Sequence, residues 1–328
     1  MTLVRQRATT AHDFELAECF EAIVGNVERV IQGKDDVIRL ALVCLMAEGH
    51  LLIEDVPGVG KTSLAKALAL SLDCRWQRIQ FTPDLLPSDV TGVTVYSRSQ
   101  ETFEFRPGGI FANIVLGDEI NRASPKTQSA LLEAMEEGQV TVDTTTYRLP
   151  APFMVIATQN PIEHEGTYPL PESQLDRFLM RVEVGYPSRG AEVSMLEAHA
   201  SARVIDGLGP VAKPEDVDAM VAATRSIYVA PGLKGYIVDL ADVTRSHPDL
   251  ALGMSPRSTL ALLRASRAWA ASQGRDYVIP DDVKAMARPV LSHRLMLSAE
   301  AQIAEGDPGR VLDDILGRLP VPAARSQG

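Results

Sequence analysis

Several features that would assign this chain to a common class of protein are missing from its sequence. The longest apolar stretch, around residues 40–47, is far too short to cross a bilayer, so we expect no membrane insertion. The first ten residues lack the apolar centre of a signal peptide, which predicts a cytoplasmic location. The few cysteines form no CxxC pair and no HExxH motif occurs, so the common zinc-site patterns are excluded.

Positive charge is also scarce. The 328 residues include 32 Lys and Arg against 43 Asp and Glu, which gives a formal net charge of -11. This balance argues against a general nucleic-acid coat, and we expect no nucleic-acid partner. The overall composition, 45% hydrophobic and 23% charged, is that of a globular protein with a large domain and a smaller one.

The most informative stretch is HLLIEDVPGVGKTSLAKALAL, residues 50–70. A short apolar run leads into a turn rich in glycine and then into a run with helical spacing, which is the context that a phosphate-binding P-loop requires. Lys61 is placed to reach the β- and γ-phosphates of ATP, and the Thr62 hydroxyl to ligate Mg²⁺. The predicted nucleotide-binding residues are Pro57, Gly58, Val59, Gly60, Lys61, Thr62 and Ser63.

One residue departs from the usual P-loop pattern. The position six before Lys61 is commonly the first glycine of the motif, and here it is Asp55. An acidic side chain at that place must point away from the phosphates or be paired with another group.

A second stretch, IVLGDEINR at residues 114–122, places two carboxylates at the end of an apolar run. It lies about 55 residues after the P-loop. We predict that Asp118 holds Mg²⁺ and that Glu119 orients and deprotonates the attacking water. A further buried strand, FMVIAT, ends at Gln159, and Asn160 is the candidate sensor of the γ-phosphate or of the attacking water.

Four stretches together resemble the MoxR family of AAA+ ATPases. They are DVPGVGKTSLAKALA, VLGDEINRASPKTQSALLEAMEEGQV, VIATQNPIEHEGTYPLPESQLDRFLM and GMSPRSTLALL, and they run with gaps from about residue 50 to residue 262. The resemblance implies ATP hydrolysis with Mg²⁺ in a homo-oligomer, a hexameric ring, that remodels or matures a client protein. Metal-cofactor insertion is one such role, and the family often works with a separate chain that carries a von Willebrand A domain.

The resemblance also implies roles for two arginines that the sequence alone would leave as surface charges. Arg177, in the QLDRF segment, corresponds to the arginine finger that reaches the γ-phosphate of a neighbouring subunit. Arg257, after Ser255 and Pro256, corresponds to the second sensor arginine of the lid domain.

The predicted fold is an α/β AAA+ core with a mostly parallel sheet and inserted β-hairpins, followed by an all-α lid. Alternating polar and apolar residues predict the hairpins at 93–105 and 139–149. Helical patterns after the Gly-Tyr-Pro segment predict lid helices over 188–202, 214–226, 233–246, 256–273 and 281–296. The predicted domains are a nucleotide-binding core (1–186), a helical lid (187–298), and a short helix with a flexible tail (299–328).

Other functions fit the same architecture less well. A nucleic-acid translocase would grip a strand with its hairpins, but these carry only Arg98, Arg106 and Arg148 as basic residues in or beside them. A magnesium-chelatase-like motor subunit shares the fold, although the motif stretches fit MoxR better. A nucleotide-gated scaffold that does not hydrolyse ATP would not need the complete set of catalytic residues.

Overall fold

A computed structural model describes residues 11–161, 166–190, 192–193 and 204–322. Two helices precede the P-loop: α1 (Ala11–Glu28) and α2 (Asp35–Met46). Both bury apolar side chains completely, among them Phe20 and Ile38. They are therefore part of the hydrophobic core rather than an appended arm.

The core alternates strands with helices. Its strands are β1 (Leu51–Glu54), β2 (Trp76–Gln80), β3 (Val93–Ser97), β4 (Thr102–Arg106), β5 (Ile114–Asp118), β6 (Gln139–Val142), β7 (Thr145–Arg148), β8 (Met154–Gln159) and β9 (Met180–Val182). Its remaining helices are α3 (Lys61–Ser71), α4 (Pro87–Thr91), α5 (Pro125–Glu137) and α6 (Glu172–Leu175). Pro125 opens α5 and the Ser124 hydroxyl accepts a hydrogen bond from the Thr127 amide (3.3 Å), which caps the helix start.

Five strands form one parallel sheet in the order β2-β5-β8-β1-β9. The central strands β1, β5 and β8 read as continuous apolar runs because helices cover both faces of a parallel sheet. All five strands run in one direction, so their carboxyl ends meet at a single edge, where α/β sheets bind ligands.

The remaining four core strands form the two predicted hairpins. The strands β3 and β4 pair antiparallel, as do β6 and β7, and neither pair joins the large sheet. The hairpins touch each other through stacked rings, with the centroids of Phe105 and Tyr147 3.9 Å apart. At the first hairpin, Tyr96 and Phe103 meet edge to face, and Phe103 is 73% exposed.

The lid consists mainly of helices, which confirms its predicted class. They are α7 (Pro214–Ser226), α8 (Pro231–Ser246), α9 (Pro256–Ser272), α10 (Pro280–Leu291), α11 (Ala299–Ile303) and α12 (Pro308–Arg318). The prediction of an all-α lid missed one feature, a short antiparallel ladder between β10 (Leu250–Leu252) and β11 (Met296–Leu297). Strands of two or three residues leave no alternation pattern long enough to detect.

Apolar packing joins the lid to the core. Side chains of α1, α2, α3 and one face of the sheet share a continuous buried cluster with α7, α8, α9, α10 and α12. A second cluster lies on the other face of the sheet, beneath α5. Because α9 contacts both α1 and α2, the lid rests on the N-terminal helices.

The structure describes two of the predicted segments to different extents. The predicted helix at 188–202 lies largely outside the described residues. In the predicted third segment, α12 buries Leu312, Ile315 and Leu316 and packs against α8 and α10, so residues 308–318 are structured. The domain boundaries at residues 186 and 298 stay predictions. Among the described residues, no helix is long and apolar enough to span a bilayer.

Candidate functional site

The P-loop connects the end of β1 to the start of α3, as the sequence predicts. Gly58 and Gly60 adopt left-handed backbone conformations (φ +86° and +94°), which residues with a Cβ rarely tolerate. Gly60 also occupies the N-cap position of α3 and has no side chain to cap the helix. The first amides of α3, those of Lys61, Thr62 and Ser63, therefore face the loop as anion-binding donors.

Lys61 lies at the centre of the charged groups. Its Nζ donates a 2.6 Å hydrogen bond to the backbone carbonyl of Asp55. Partial burial lowers the pKa of Lys61, while the negative charges of Asp55, Asp118 and Glu119 act in the opposite direction. The structure thus brings the P-loop lysine within electrostatic reach of both predicted catalytic carboxylates.

Asp118 is buried at the end of β5, and both of its oxygens are occupied. Oδ1 accepts a 2.6 Å hydrogen bond from the Thr158 hydroxyl on β8. Oδ2 accepts from the Arg78 guanidinium on β2, with the Nη2 and Nε atoms at 2.6 and 3.1 Å. Two neighbouring strands therefore fix the orientation of this carboxylate.

Glu119 leaves the strand in a left-handed conformation (φ 56°) and has different partners. Its Oε2 accepts a 2.9 Å hydrogen bond from Gln80 and lies 3.2 Å from the Arg122 Nε. Its backbone amide donates to the Thr158 hydroxyl at 2.9 Å. The two adjacent carboxylates are thus held apart, as two separate tasks require.

Sequence reasoning missed Arg78, Gln80 and Thr158 as members of the site. The register of the sheet brings them there, because Gln80 pairs with Asp118 across β2 and β5. The polar spacing of β2, RIQ before the buried Phe81, is the one signal that could have identified two of them.

Asn160, the predicted sensor, follows β8 directly and is buried. The strand β8 is the neighbour of β1, and the Asp55 amide donates to the Gln159 carbonyl at 3.2 Å. The structure therefore places Asn160 next to the start of the P-loop.

Arg177 and Arg257 both contact Glu136. Arg177 Nη1 lies 3.3 Å from one oxygen of Glu136, and Arg257 Nη2 donates to the other oxygen at 2.7 Å. Both line a small cavity of about 120 Å³ with Gly49 and His50, which precede β1. The P-loop follows β1, so the length of this strand separates the two arginines from Lys61 by roughly 13 Å or more.

The residues present fit a magnesium nucleotide. Mg²⁺ in phosphate-transferring sites is held by one or two protein oxygens together with phosphate oxygens and water. Thr62, at the start of α3, and Asp118, at the end of β5, carry the oxygen atoms that would hold such an ion. The amides of the P-loop and Lys61 supply the phosphate-binding donors.

Comparison with known proteins identifies the family. Residues 50–180 match the model of the ATPase family associated with various cellular activities (AAA), and residues 242–315 match the AAA lid domain. Chaperone MoxR1 of Mycobacterium tuberculosis is 40% identical over 92% of this chain and 82% of its own length. Protein MoxR of Paracoccus denitrificans is 31% identical over 90% and 94%. The chain belongs to the MoxR family of AAA+ ATPases.

Other relatives share the whole architecture. The uncharacterized protein YeaC of Bacillus subtilis is 49% identical over 96% of this chain and 99% of its own length. The crystal structure of a candidate ATPase from Cytophaga hutchinsonii superposes with a TM-score of 0.89 at 35% identity, covering 95% of this chain and 97% of that one. The MoxR arrangement of core and lid thus extends over almost the entire chain.

Proposed function

We propose that this MoxR-family chain hydrolyses ATP with Mg²⁺ and uses the energy to remodel a partner protein. The observation that carries the proposal is the convergence of Lys61, Asp118 and Glu119 at the carboxyl edge of the parallel sheet. A P-loop lysine, a metal-binding carboxylate and a second carboxylate for the water are the parts that ATP hydrolysis needs.

Each residue has a task that its contacts suit. Lys61 neutralises the β- and γ-phosphates, and Thr62 and Asp118 hold Mg²⁺, which shields the phosphate charge when bound. Glu119, oriented by Gln80 and Arg122, positions the attacking water and takes its proton. Asn160, next to the P-loop, hydrogen-bonds the γ-phosphate or that water.

The two arginines act on the nucleotide of a neighbouring subunit. Arg177 and Arg257 lie at the amino edge of the sheet, whereas the P-loop of the same chain lies at the carboxyl edge. A head-to-tail contact between copies brings one edge against the other, and such a contact forms a ring when its rotation closes. We therefore propose a homo-oligomeric ring, a hexamer in keeping with the family resemblance, with both arginines supplied in trans.

The names of the relatives support part of the proposed cellular role. One of them is named a chaperone, which supports a chaperone-like action on a client protein. We propose maturation of that client, including metal-cofactor insertion, in the cytoplasm and together with a separate chain that carries a von Willebrand A domain. The net charge of -11 supports a protein client over a nucleic acid.

Replacement of Glu119 by Gln tests the proposed chemistry. The variant should bind ATP normally but hydrolyse it about 10²–10⁴-fold more slowly, the usual loss for a general base. Lys61→Ala should weaken ATP binding itself. Glu133→Gln removes an exposed carboxylate on α5 and should keep the wild-type rate. A Glu119→Gln protein with the wild-type turnover number would refute the assignment of the base.

A further inference from the structure

Asp55, the residue that departs from the usual P-loop pattern, makes contacts that no glycine could make. Its carboxylate is buried, and each oxygen accepts one backbone N–H. Oδ1 accepts from the adjacent Val56 at 2.7 Å, and Oδ2 accepts from Gly185 at 2.5 Å. The second contact joins positions 130 residues apart, so it does more than shape a local turn.

Gly185 belongs to the linker that leads from β9 towards the lid. It adopts a left-handed conformation (φ +66°), and the carbonyl of the next residue, Tyr186, accepts a 2.8 Å hydrogen bond from Lys34 Nζ. Lys34 precedes α2. The start of the linker is thus held at two consecutive residues, from the P-loop side by Asp55 and from the N-terminal helices by Lys34.

The backbone of Asp55 completes the connection to the catalytic lysine. Its carbonyl accepts the hydrogen bond from Lys61 Nζ, while its carboxylate holds the linker. If Lys61 is to reach phosphate oxygens, its ammonium must exchange the Asp55 carbonyl for them. The same residue therefore contacts both Lys61 and the start of the linker to the lid.

The linker has space to move if Lys61 exchanges the Asp55 carbonyl for phosphate oxygens. A cavity of about 740 Å³ lies between the start of α2, the strand β9 and the lid helices α10 and α12. Val184, one residue before the linker glycine, lines it, as do Arg288 and Asp307 of the lid. Core and lid are therefore not tightly packed on this side, so a displaced linker would meet space rather than a packed core.

We propose that Asp55 is a positioning residue that couples occupation of the P-loop to the linker of the lid. The proposal rests on nucleotide binding as assigned under the proposed function, and it does not depend on hydrolysis. A carboxylate is required because two backbone donors must be accepted at once. The amide of an asparagine can accept only one of them and would turn its own N–H groups towards the other.

Hydrogen exchange of the full chain without nucleotide tests the contact directly. The segment Val184-Gly185-Tyr186-Pro187 is well suited to this measurement because proline has no amide hydrogen. In Asp55→Asn and Asp55→Gly we expect the exchange of the Gly185 amide to rise about tenfold or more, since its buried acceptor is weakened or removed. Glu54→Gln is the matched control: it removes a carboxylate that binds Gln159 and Arg181 and should leave Gly185 protected.

The coupling is tested by adding a non-hydrolysable ATP analogue with Mg²⁺. In the wild-type chain the analogue should change the exchange of the linker and of α10. In Asp55→Gly, which restores the common P-loop residue, a saturating concentration of the analogue, with its binding measured directly, should leave the exchange of α10 unchanged. A purely structural role for Asp55 would not abolish this response.

Two results would overturn the inference: unchanged exchange at Gly185 in both variants, or a normal response of α10 to the analogue in Asp55→Gly. Melting curves and exchange in the central strands identify a variant that has lost its fold, and Asp55→Gly serves if Asp55→Asn does not fold. Failure of the proposed ATPase function can be distinguished from failure of the proposed role of Asp55. A wild-type chain that bound the analogue without hydrolysing ATP would refute the former and leave this test intact.

Discussion

At the scale of single residues, His50 shows how a buried titratable group can fix the start of β1. Its Nδ1 accepts a 3.0 Å hydrogen bond from the Val155 amide on β8. This leaves Nε2 to donate to the Met135 carbonyl on α5 at 2.9 Å. The neutral ring is therefore fully hydrogen-bonded, and a second proton would break the contact with Val155.

We expect His50 to make the stability of the protein depend on pH. Burial lowers the pKa of His50 to about 4, so the unfolded chain binds a proton at higher pH than the folded chain. The stabilisation is complete above about pH 6.5 and is lost as the pH falls towards 4, by up to about 1.4 kcal/mol per pH unit. Denaturant unfolding between pH 7.5 and 5.5 measures this slope.

His50→Gln is the informative variant, because glutamine can accept from Val155 and donate to Met135 without titrating. The slope of its unfolding free energy against pH should be shallower by up to about 1.4 kcal/mol per pH unit. Burial also lowers the pKa of His293, to about 3, so part of the slope should remain. An unchanged slope in His50→Gln would show that this ring does not contribute.

Residues that work through local sequence were predictable, and residues that depend on strand register were not. The sequence pattern places Gly58, Gly60 and Lys61 in a P-loop because backbone conformation and helix start are local properties. Arg78 and Thr158 reach Asp118 only because β2 and β8 flank β5 in the sheet. No pattern in one sequence states which strands are neighbours.

At the scale of elements, the two hairpins form a single aromatic unit. Phe105 on β4 and Tyr147 on β7 stack with their ring planes at 15°. Phe111 also contacts Phe105, with the centroids 5.5 Å apart. Both hairpins were predicted from their alternation, but their contact was not, because it joins elements about 40 residues apart.

A double-mutant cycle measures how strongly the hairpins are coupled. We expect Phe105→Leu and Tyr147→Leu to show a coupling free energy of about 0.5–1.5 kcal/mol in unfolding experiments, the range for aromatic pairs. Tyr96→Leu combined with Tyr147→Leu is the control, because Tyr96 contacts Phe103 of its own hairpin edge to face. That pair should be additive within about 0.5 kcal/mol. Additivity of the Phe105 and Tyr147 changes would mean that the hairpins are independent.

Element packing also explains why the position of Arg257 could not be foreseen. The helix start at Ser255 and Pro256 was predictable, and the Ser255 hydroxyl accepts from the Ser258 amide at 3.1 Å. The packing of α9 on α1 and α2 decides which side of the core the first turn of α9 faces. That packing brings Arg257 to Glu136, at the edge that also carries Arg177.

At the scale of the whole molecule, each chain has its P-loop at one edge of the sheet and an arginine pair at the other. Glu136 neutralises part of the charge of that pair within the isolated chain. A neighbour's γ-phosphate would offer the arginines a stronger anionic partner. The sequence implied a trans role for Arg177 through its family resemblance, and the separation of the two edges gives that role a geometric reason.

Complementation between two inactive variants tests whether the finger acts in trans. Arg177→Ala should bind ATP but lose about 10³–10⁵ in rate, because an arginine finger stabilises charge on the transferring phosphate. Glu119→Gln should also be inactive, with its own arginine intact. In a randomly mixed ring, about a quarter of the interfaces would join an intact pocket to an intact finger. The ATPase rate of the mixture should therefore rise well above that of either variant alone.

The matched control replaces Glu119→Gln with the double variant Glu119→Gln/Arg177→Ala, which offers neither an intact pocket nor an intact finger. Its mixture with Arg177→Ala contains intact pockets but no intact finger, so no recovery is expected. Subunit exchange must be verified by differently tagged chains that purify together. If verified mixed rings of the first pair stayed inactive, Arg177 would act on the nucleotide of its own chain or only support the fold. Because roughly 13 Å or more of β1 separates Arg177 from its own P-loop, a rearrangement of the core would then be required.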